Sequence, residues 1–174
     1  MALHRAARFS LRLATAADFA AVDSLLARSY PRLLAPDYPA SVRVLAIPLI
    51  SRARPDLLAC GSYWLAQDPQ GGVVGAGGWT RGAPGARDDG ARPATGHIRH
   101  FVTDADCLRQ GIGRALMDRV VAQAGADGVA WLDCLATRTA VPFYMQMGFQ
   151  AQGLVDVPLR PGIVFPAIRM LRPL

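Results

Sequence analysis

Two closely spaced glycines flanked by arginines are the residues of this sequence best suited to chemistry. Gly111 and Gly113 lie where a helix is predicted to begin, after a β-prone run at 98–103, and Arg109 and Arg114 flank them. The first N–H groups of a helix lack internal partners and carry partial positive charge, and glycines let another molecule approach the backbone. With two guanidinium groups added, this turn could bind a phosphate or diphosphate. The alternative is an ordinary helix start with surface arginines.

Other well-known anion and metal sites do not fit the sequence. A P-loop needs Lys followed by Ser or Thr after its last glycine, and the chain has no Lys. A dinucleotide fingerprint needs three glycines, and the segment supplies two. The three cysteines, Cys60, Cys107 and Cys134, form no C-x-x-C pair, so we expect reduced thiols and no metal site.

The segment 108–114 resembles the acyl-CoA loop of the GNAT N-acetyltransferase superfamily, whose pattern is Arg or Gln, two residues, Gly, one residue, then Gly or Ala. Leu108 occupies the first place, which removes a side-chain contact but leaves the main-chain amides. A second segment, 140–144 followed by Gly148 and Phe149, resembles the last helix of the family and its exit into the sixth strand. The resemblance is specific in the second half of the chain.

The resemblance implies an α/β protein with the GNAT acyl-CoA N-acyltransferase fold, in which helices flank a central mixed, mostly antiparallel β-sheet. We expect a single domain over residues 1–174. The pattern of the sequence predicts strands at 9–13, 63–66, 73–79, 98–103, 129–135, 154–159 and 163–171, with helices after Thr15, from 112 to 124 and from 140 to 147. Thr139 is a candidate cap for the last helix. Five prolines between 30 and 58 predict short helices and loops, and the segment 81–95 is predicted to be a mobile surface loop.

The implied cofactor is acetyl-CoA, and the resemblance also indicates which residues would contact it. Main-chain amides of the glycine loop would hold the diphosphate, and an exposed strand edge would pair with the pantetheine arm between two splayed strands. The loop residues are Arg109, Gln110, Gly111, Ile112, Gly113 and Arg114, and the edge residues are Phe101, Val102 and Thr103. Thr137 stands where the family often has an Asn that contacts the cofactor.

Three residues are candidates for proton transfer. Tyr144 matches the family tyrosine thought to protonate the departing thiolate, although its ring could instead only pack against the cofactor. The family often uses a Glu on the fourth strand as base, and this chain has no Glu. His97 stands at that position and His100 is a second candidate. A structural role for either histidine, or a bound water with no dedicated base, is the alternative.

The sequence therefore predicts an acyltransferase that moves an acetyl group from acetyl-CoA to a primary amine. The amine could belong to a small molecule, a peptide or a protein, and attack would be direct, within a ternary complex. The alternative is a non-catalytic acyl-CoA-binding or sensing domain. The acceptor is expected to lie against the segment 30–58, where Tyr30, Tyr38 and nearby arginines could touch it, but no motif identifies the acceptor.

Composition narrows the class of partner. The chain has 19 basic residues, all Arg, against 13 acidic residues, all Asp, for a net charge of +6. Because the arginines are scattered and no aromatic residues interleave them, a nucleic-acid-binding function is disfavoured. We find no apolar run of signal-peptide or membrane-span length, so a cytoplasmic protein without membrane contact is expected. Edge pairing of strands could make a homodimer.

Overall fold

The structure, a computed structural model, describes residues 9–83 and 94–174. Its strands are β1 (Ser10–Leu13), β2 (Tyr63–Gln67), β3 (Val73–Thr80), β4 (Thr95–Thr103), β5 (Trp131–Ala136), β6 (Gln150–Arg160) and β7 (Ile163–Pro173). Its helices are α1 (Phe19–Leu34), α2 (Ala40–Leu45), α3 (Ile47–Ile50), α4 (Pro55–Leu58), α5 (Ile112–Ala126) and α6 (Val141–Gln146). The predicted loop at 81–95 falls mostly outside the described residues.

The seven strands form one sheet in the order β1-β2-β3-β4-β5-β7-β6. Every neighbouring pair is antiparallel except β4 and β5, which are parallel and are connected through α5. The prediction of a mixed, mostly antiparallel sheet flanked by helices is therefore confirmed.

The two parallel strands separate soon after they begin. Their pairing runs from Thr95 opposite Trp131 to His97 opposite Asp133. β4 then continues to Thr103 and β5 to Ala136 without further pairing between them. Since strands that diverge leave their facing edges without a ladder, this part of the sheet is open to another molecule.

Helices cover both faces of the sheet because successive side chains of a strand point to opposite faces. Leu65 of β2 packs in one cluster with α1, whereas its neighbour Ala66 packs in another with α5. Helix α5 buries Ile112, Leu116, Met117, Val120 and Ala124, which recur at the helical period predicted from the sequence. The start of α5, where the glycine loop lies, is thus fixed against the sheet.

Glycine in β3 makes room for the aromatic side chain that borders the opening. A Cβ built on Gly77 would lie 2.2 Å from Phe101 Cδ2, so any larger residue would displace that ring. Phe101 also stacks on Phe143 with ring centroids 5.8 Å apart. The small residue therefore sets the position of Phe101 between the sheet and the last helix.

Two local expectations differ from the structure. Short helices occupy 35–58, as the prolines predict, but α1 continues through Pro31. Tyr30 and Leu34, on either side of this proline, are buried in the core. Their packing outweighs the one backbone hydrogen bond that Pro31 cannot make. The prediction that Thr139 caps the last helix is wrong. Thr137 Oγ1 accepts the Ala140 N–H at 3.3 Å, whereas Thr139 donates its hydroxyl to Asp37 at 2.6 Å.

Candidate functional site

A cavity of about 460 Å³ opens between the separated strands, the start of α5 and α6. Its lining includes the edge residues of β4, namely Phe101, Val102 and Thr103, and the loop residues Arg109, Gly111, Ile112, Gly113 and Arg114. Phe143 and Tyr144 of α6 complete the opposite wall. We refer to it as the cofactor cavity. The structure thus brings together all but one of the predicted cofactor contacts, the exception being the exposed Gln110, which is not among its lining residues.

The loop before α5 adopts a conformation that only some residues take easily. Gly111, the N-cap residue, has φ 85° and ψ 1°, and Arg109 also lies in the left-handed region with φ 61°. The first amides of α5 have no partner within the helix, and the residues that carry them line the cavity. Arg109 and Arg114 are both exposed there, which gives this end of the cavity two positive side chains.

Two arginines of α1 hold the chain that leads into the loop. Arg28 Nη2 lies 2.7 Å from Asp104 Oδ2 and 2.9 Å from the carbonyl of Val73, and Asp104 is buried. One turn later, Arg32 pairs with Asp106 through two contacts of 2.8 and 3.1 Å. Asp104 also accepts the N–H of Asp106, so the turn before the loop is tied both to itself and to the helix.

A bulge in β4 lies beside the cavity. His100 has φ 41°, and the register with β3 shifts between Ala76 and Gly78. Two buried tyrosines bind the carbonyls at the bulge: Tyr63 donates to His100 O at 2.9 Å, and Tyr30 donates to Phe101 O at 3.4 Å. Because these carbonyls have partners despite the disrupted ladder, the bulge is a stable feature of the strand.

A second cavity, of about 300 Å³, lies on the other side of the same junction. The last turn of α3, the bulge in β4, the end of β5 and the β6–β7 hairpin line it. Five residues border both cavities: Tyr30, Phe101, Thr137, Ala140 and Tyr144. The two cavities therefore meet at these residues, and we refer to the second as the acceptor cavity.

Tyr144 stands at this junction with its side chain almost completely buried. It is 4% exposed and makes edge-to-face contacts with Phe143 and Phe149 at centroid distances of 5.3 and 5.2 Å. Burial, and then the adjacent thiol of Cys134, raise the pKa of Tyr144 well above 10. The phenol is consequently protonated at every physiological pH and can donate a hydrogen bond.

The two histidine candidates occupy different places. His100 lines the acceptor cavity, and burial together with the charges of Arg99 and Arg54 lowers its pKa to about 4. His97 lines neither of the two joined cavities. It borders a third cavity of about 280 Å³, with Nδ1 3.9 Å from Asp133 Oδ2, and burial lowers its pKa. The structure therefore does not bring the two histidines into one site.

The remaining sequence candidates divide in the same way. Thr137 borders both cavities while its hydroxyl caps the turn before α6. Tyr30 also borders both, whereas Tyr38 is buried elsewhere: it donates to Pro166 O at 3.0 Å and accepts the Arg138 N–H at 2.8 Å. Tyr38 thus connects the end of α1 to β7 and lines neither cavity.

Several residues of the site were not singled out from the sequence. Cys107 and Phe143 border the cofactor cavity, while Cys134 and Arg99 border the acceptor cavity. Arg99 lies one residue before the bulge on β4, and the sequence carried no signal that distinguished it from the other 18 arginines.

In the described ranges, 9–83 and 94–174, no group of histidine, cysteine or acidic side chains could hold a metal ion. Across the same residues, no helix has the length and apolar character required to cross a bilayer.

Comparisons with known proteins identify a matching family and solved structures of similar fold. The model of a family described as an acetyltransferase (GNAT) domain matches residues 59–151, which is 93 of the 174 residues. A search of curated proteins gives no match. Both cavities draw residues from the matched segment and from outside it.

Solved structures of similar fold span nearly the whole chain. A GCN5-related N-acetyltransferase from Rhodopseudomonas palustris, also described as a class-II aminotransferase, superposes with a TM-score of 0.76 at 22% identity, over 95% of each chain. The PaiA N-acetyltransferase from Thermoplasma acidophilum, solved with coenzyme A, gives 0.70 at 11% identity, over 95% of this chain and 99% of that one. A GCN5-related N-acetyltransferase from Kribbella flavida gives 0.64 at 19% identity, over 96% and 98%.

Proposed function

Because the chain belongs to the GNAT acetyltransferase family, whose members use acetyl-CoA, we propose that it transfers an acetyl group to a primary amine by direct attack in a ternary complex. The observation that carries this proposal is the meeting of two cavities at Tyr144. One cavity supplies the donor and the other admits the acceptor. Direct transfer requires both to reach one point, since no covalent enzyme intermediate would carry the acetyl group between them.

The cofactor cavity offers contacts for two parts of acetyl-CoA, its diphosphate and its pantetheine arm. Amides at the start of α5, with Arg109 and Arg114, would hold the diphosphate. The unpaired edge of β4 at 101–103 would pair with the amides of the pantetheine arm. When bound, the cofactor supplies an acetyl thioester, which is the activated acyl group of the reaction.

Tyr144 is proposed to donate the hydrogen bond that stabilises the departing sulfur. Its side chain borders both cavities, and its raised pKa keeps the O–H proton in place. In a buried site such a donor interacts more strongly with developing negative charge than it would in water. As the C–S bond breaks, the phenol proton would move to sulfur, and the proton lost by the acetylated nitrogen would return to the phenol oxygen.

His100 borders the acceptor cavity and His97 does not, which favours His100 as the residue that accepts a proton or hydrogen bond from the amine. The choice between the two histidines stays a prediction. Because its pKa is about 4, the His100 imidazole is neutral at pH 7 and can accept a hydrogen bond from the amine or from a bridging water. The attacking amine must first lose its ammonium proton. Positive charge around the acceptor cavity lowers the pKa of a bound ammonium group and so favours the neutral nucleophile.

Replacing the phenol hydroxyl tests the proposal. Tyr144→Phe should lower kcat by about 100-fold or more, the size of a positioned acid's contribution, while the Kd for acetyl-CoA stays near the wild-type value. Thiol release from acetyl-CoA across a panel of amines measures kcat, and calorimetry measures Kd. Tyr38→Phe is the matched control, because it removes a buried hydroxyl that borders neither cavity.

The results separate catalysis from simple binding. A wild-type protein that binds acetyl-CoA but releases no thiol with any amine would be an acyl-CoA-binding domain, and the proposed transfer would be wrong. An unchanged kcat in Tyr144→Phe would remove Tyr144 from the reaction while leaving the transfer itself intact.

A further inference from the structure

The acceptor cavity carries an unusual concentration of positive charge. Three arginines border it, Arg52 and Arg54 from the chain around α4 and Arg99 from β4. Among the described residues that line this cavity, none is acidic. The side chains facing an acceptor are therefore cationic or apolar, apart from the hydroxyls of Tyr30, Thr137 and Tyr144 and the neutral imidazole of His100.

Two of the three guanidinium groups already have carboxylate partners. Arg52 lies 3.3 Å from Asp23, and Arg54 makes hydrogen bonds of 2.9 and 3.1 Å to Asp56. Both arginines are also well exposed, so water shares in balancing their charge. These pairs leave little net charge at the outer part of the cavity.

Arg99 has no carboxylate partner within residues 9–83 and 94–174. It is only 8% exposed, and its one hydrogen bond within the described residues runs from Nη1 to Thr80 Oγ1 at 2.9 Å. Thr80 in turn donates its hydroxyl proton to Gly82 O at 2.8 Å, which leaves an oxygen lone pair for Arg99 and orients the guanidinium. The acid that acts on Arg99 through space, Asp56, is engaged by Arg54.

A buried guanidinium without a counterion is energetically unfavourable, because burial removes water and no opposite charge replaces it. Arginine stays charged in proteins, so proton loss does not relieve this cost. A guanidinium has five N–H donors arranged for two-point contact with an oxyanion, and Arg99 uses one of them within the described residues. A negatively charged group entering the cavity would supply the missing partner.

We propose that the acceptor is a small primary amine that also carries an oxyanion, and that Arg99 binds this oxyanion at the inner end of the acceptor cavity. The inference rests on the proposed function, since it names the class of amine that reaches Tyr144. A cavity of about 300 Å³ is near the lower limit for small-molecule sites, about 300–1,000 Å³, which favours a compound of amino-acid size. Carboxylates and phosphonates share the required chemistry.

Matched amines test the proposal in the full-length protein. Each amino acid in the panel is paired with its carboxamide, and each aminoalkyl phosphonate with its dimethyl ester, so that the negative charge is removed while the primary amine is kept. Wild-type kcat/KM should be at least about 10-fold higher for the charged member of a pair, the effect of a charge-assisted hydrogen bond. The carboxylate and phosphonate arms show which oxyanion is preferred.

Arg99→Gln should bring the charged-to-neutral ratio close to one, while its amide can still donate a hydrogen bond towards Thr80. Arg160→Gln is the matched control, because it removes one positive charge from an exposed residue that borders none of the three cavities described above. That control should keep the wild-type ratio. Circular dichroism and the thermal midpoint establish that each variant is folded.

Equal kcat/KM for charged and neutral members in the wild type, or an unchanged ratio in Arg99→Gln, would overturn the inference and leave the proposed transfer standing. If no amine in the panel is acetylated, glutarate and inorganic phosphate are titrated into the CoA-saturated protein by calorimetry. Binding that Arg99→Gln abolishes supports the oxyanion site, and absence of binding by either anion overturns it. Failure of the wild-type protein to bind acetyl-CoA would count against the proposed function.

Discussion

Replacing Gly111 with alanine separates the backbone requirement of the loop from its packing. Gly111 has φ 85°, and a Cβ built on it would meet no atom within 4 Å. The cost of Gly111→Ala is therefore the left-handed backbone alone, about 1–2 kcal/mol, reduced by about 0.5–1 kcal/mol because alanine restricts the unfolded chain. We expect the free energy of unfolding to fall by about 1 kcal/mol, which lowers Tm by about 2–4 °C in a chain of this size.

The same substitution should also weaken cofactor binding. If the loop relaxes towards negative φ, the amides at the start of α5 turn away from the cavity mouth, and one charge-assisted hydrogen bond to the diphosphate is lost. Such a bond contributes about 1.5–3 kcal/mol, so the Kd for CoA should rise by at least about 10-fold. Denaturant unfolding gives the stability change, and calorimetry gives the Kd.

Gly125→Ala is the matched control, in the last turns of the same helix. A Cβ there also meets nothing within 4 Å, but Gly125 lies within α5 and its φ is not positive. Alanine should therefore stabilise the protein, by about 0.5–1 kcal/mol, and leave CoA binding unchanged. If the two variants shift stability in the same direction, or if Gly111→Ala binds CoA as tightly as the wild type, the account of the loop is wrong.

Three further predictions follow from other contacts. Arg109→Gln should weaken CoA binding, and the effect should be smaller at high salt. The same variant should not change KM for the truncated donor S-acetyl-N-acetylcysteamine, because this donor lacks the diphosphate. Equal effects on both donors would contradict the prediction. Arg12 makes hydrogen bonds of 2.6 and 2.8 Å to Asp18 and lowers the pKa of that carboxyl group. The free energy of unfolding of the wild type should therefore exceed that of Asp18→Asn by its full amount above about pH 4, and the difference should shrink in more acidic solution. A pH-independent difference in urea midpoints would contradict it. His100→Gln should lower kcat more than His97→Gln, because only His100 borders the acceptor cavity, and the reverse order in thiol-release assays would favour His97.

The individual helices and strands followed from local patterns that have strong physical causes, whereas their arrangement around one mixed sheet was implied by the family resemblance. Helix α5 was predictable from the spacing of its apolar residues, and strands β2 and β3 from the β-prone runs at 63–66 and 73–79. Helix capping was less predictable, because Thr137 and Thr139 are both suitable caps by residue type. In the structure the Thr139 hydroxyl binds Asp37, which is distant in sequence, and Thr137 caps the turn before α6.

The site was predictable where it depends on the local chain and not where it depends on tertiary contacts. The loop around Gly111 and the position of Tyr144 could be identified from short segments. The importance of Arg99 could not, since it depends on carboxylates such as Asp56 being engaged elsewhere. In the same way, the sequence did not show that His97 and His100 border different cavities, because this depends on where β4 pairs with β5 and on the bulge at His100.

A crystal structure of the complex with CoA tests the central claim most directly. The account predicts the diphosphate oxygens within hydrogen-bond distance of the amides at 109–114, and the sulfur at the junction of the two cavities beside the Tyr144 hydroxyl. A CoA molecule bound with its diphosphate away from this loop, or with its sulfur remote from Tyr144, would contradict the account.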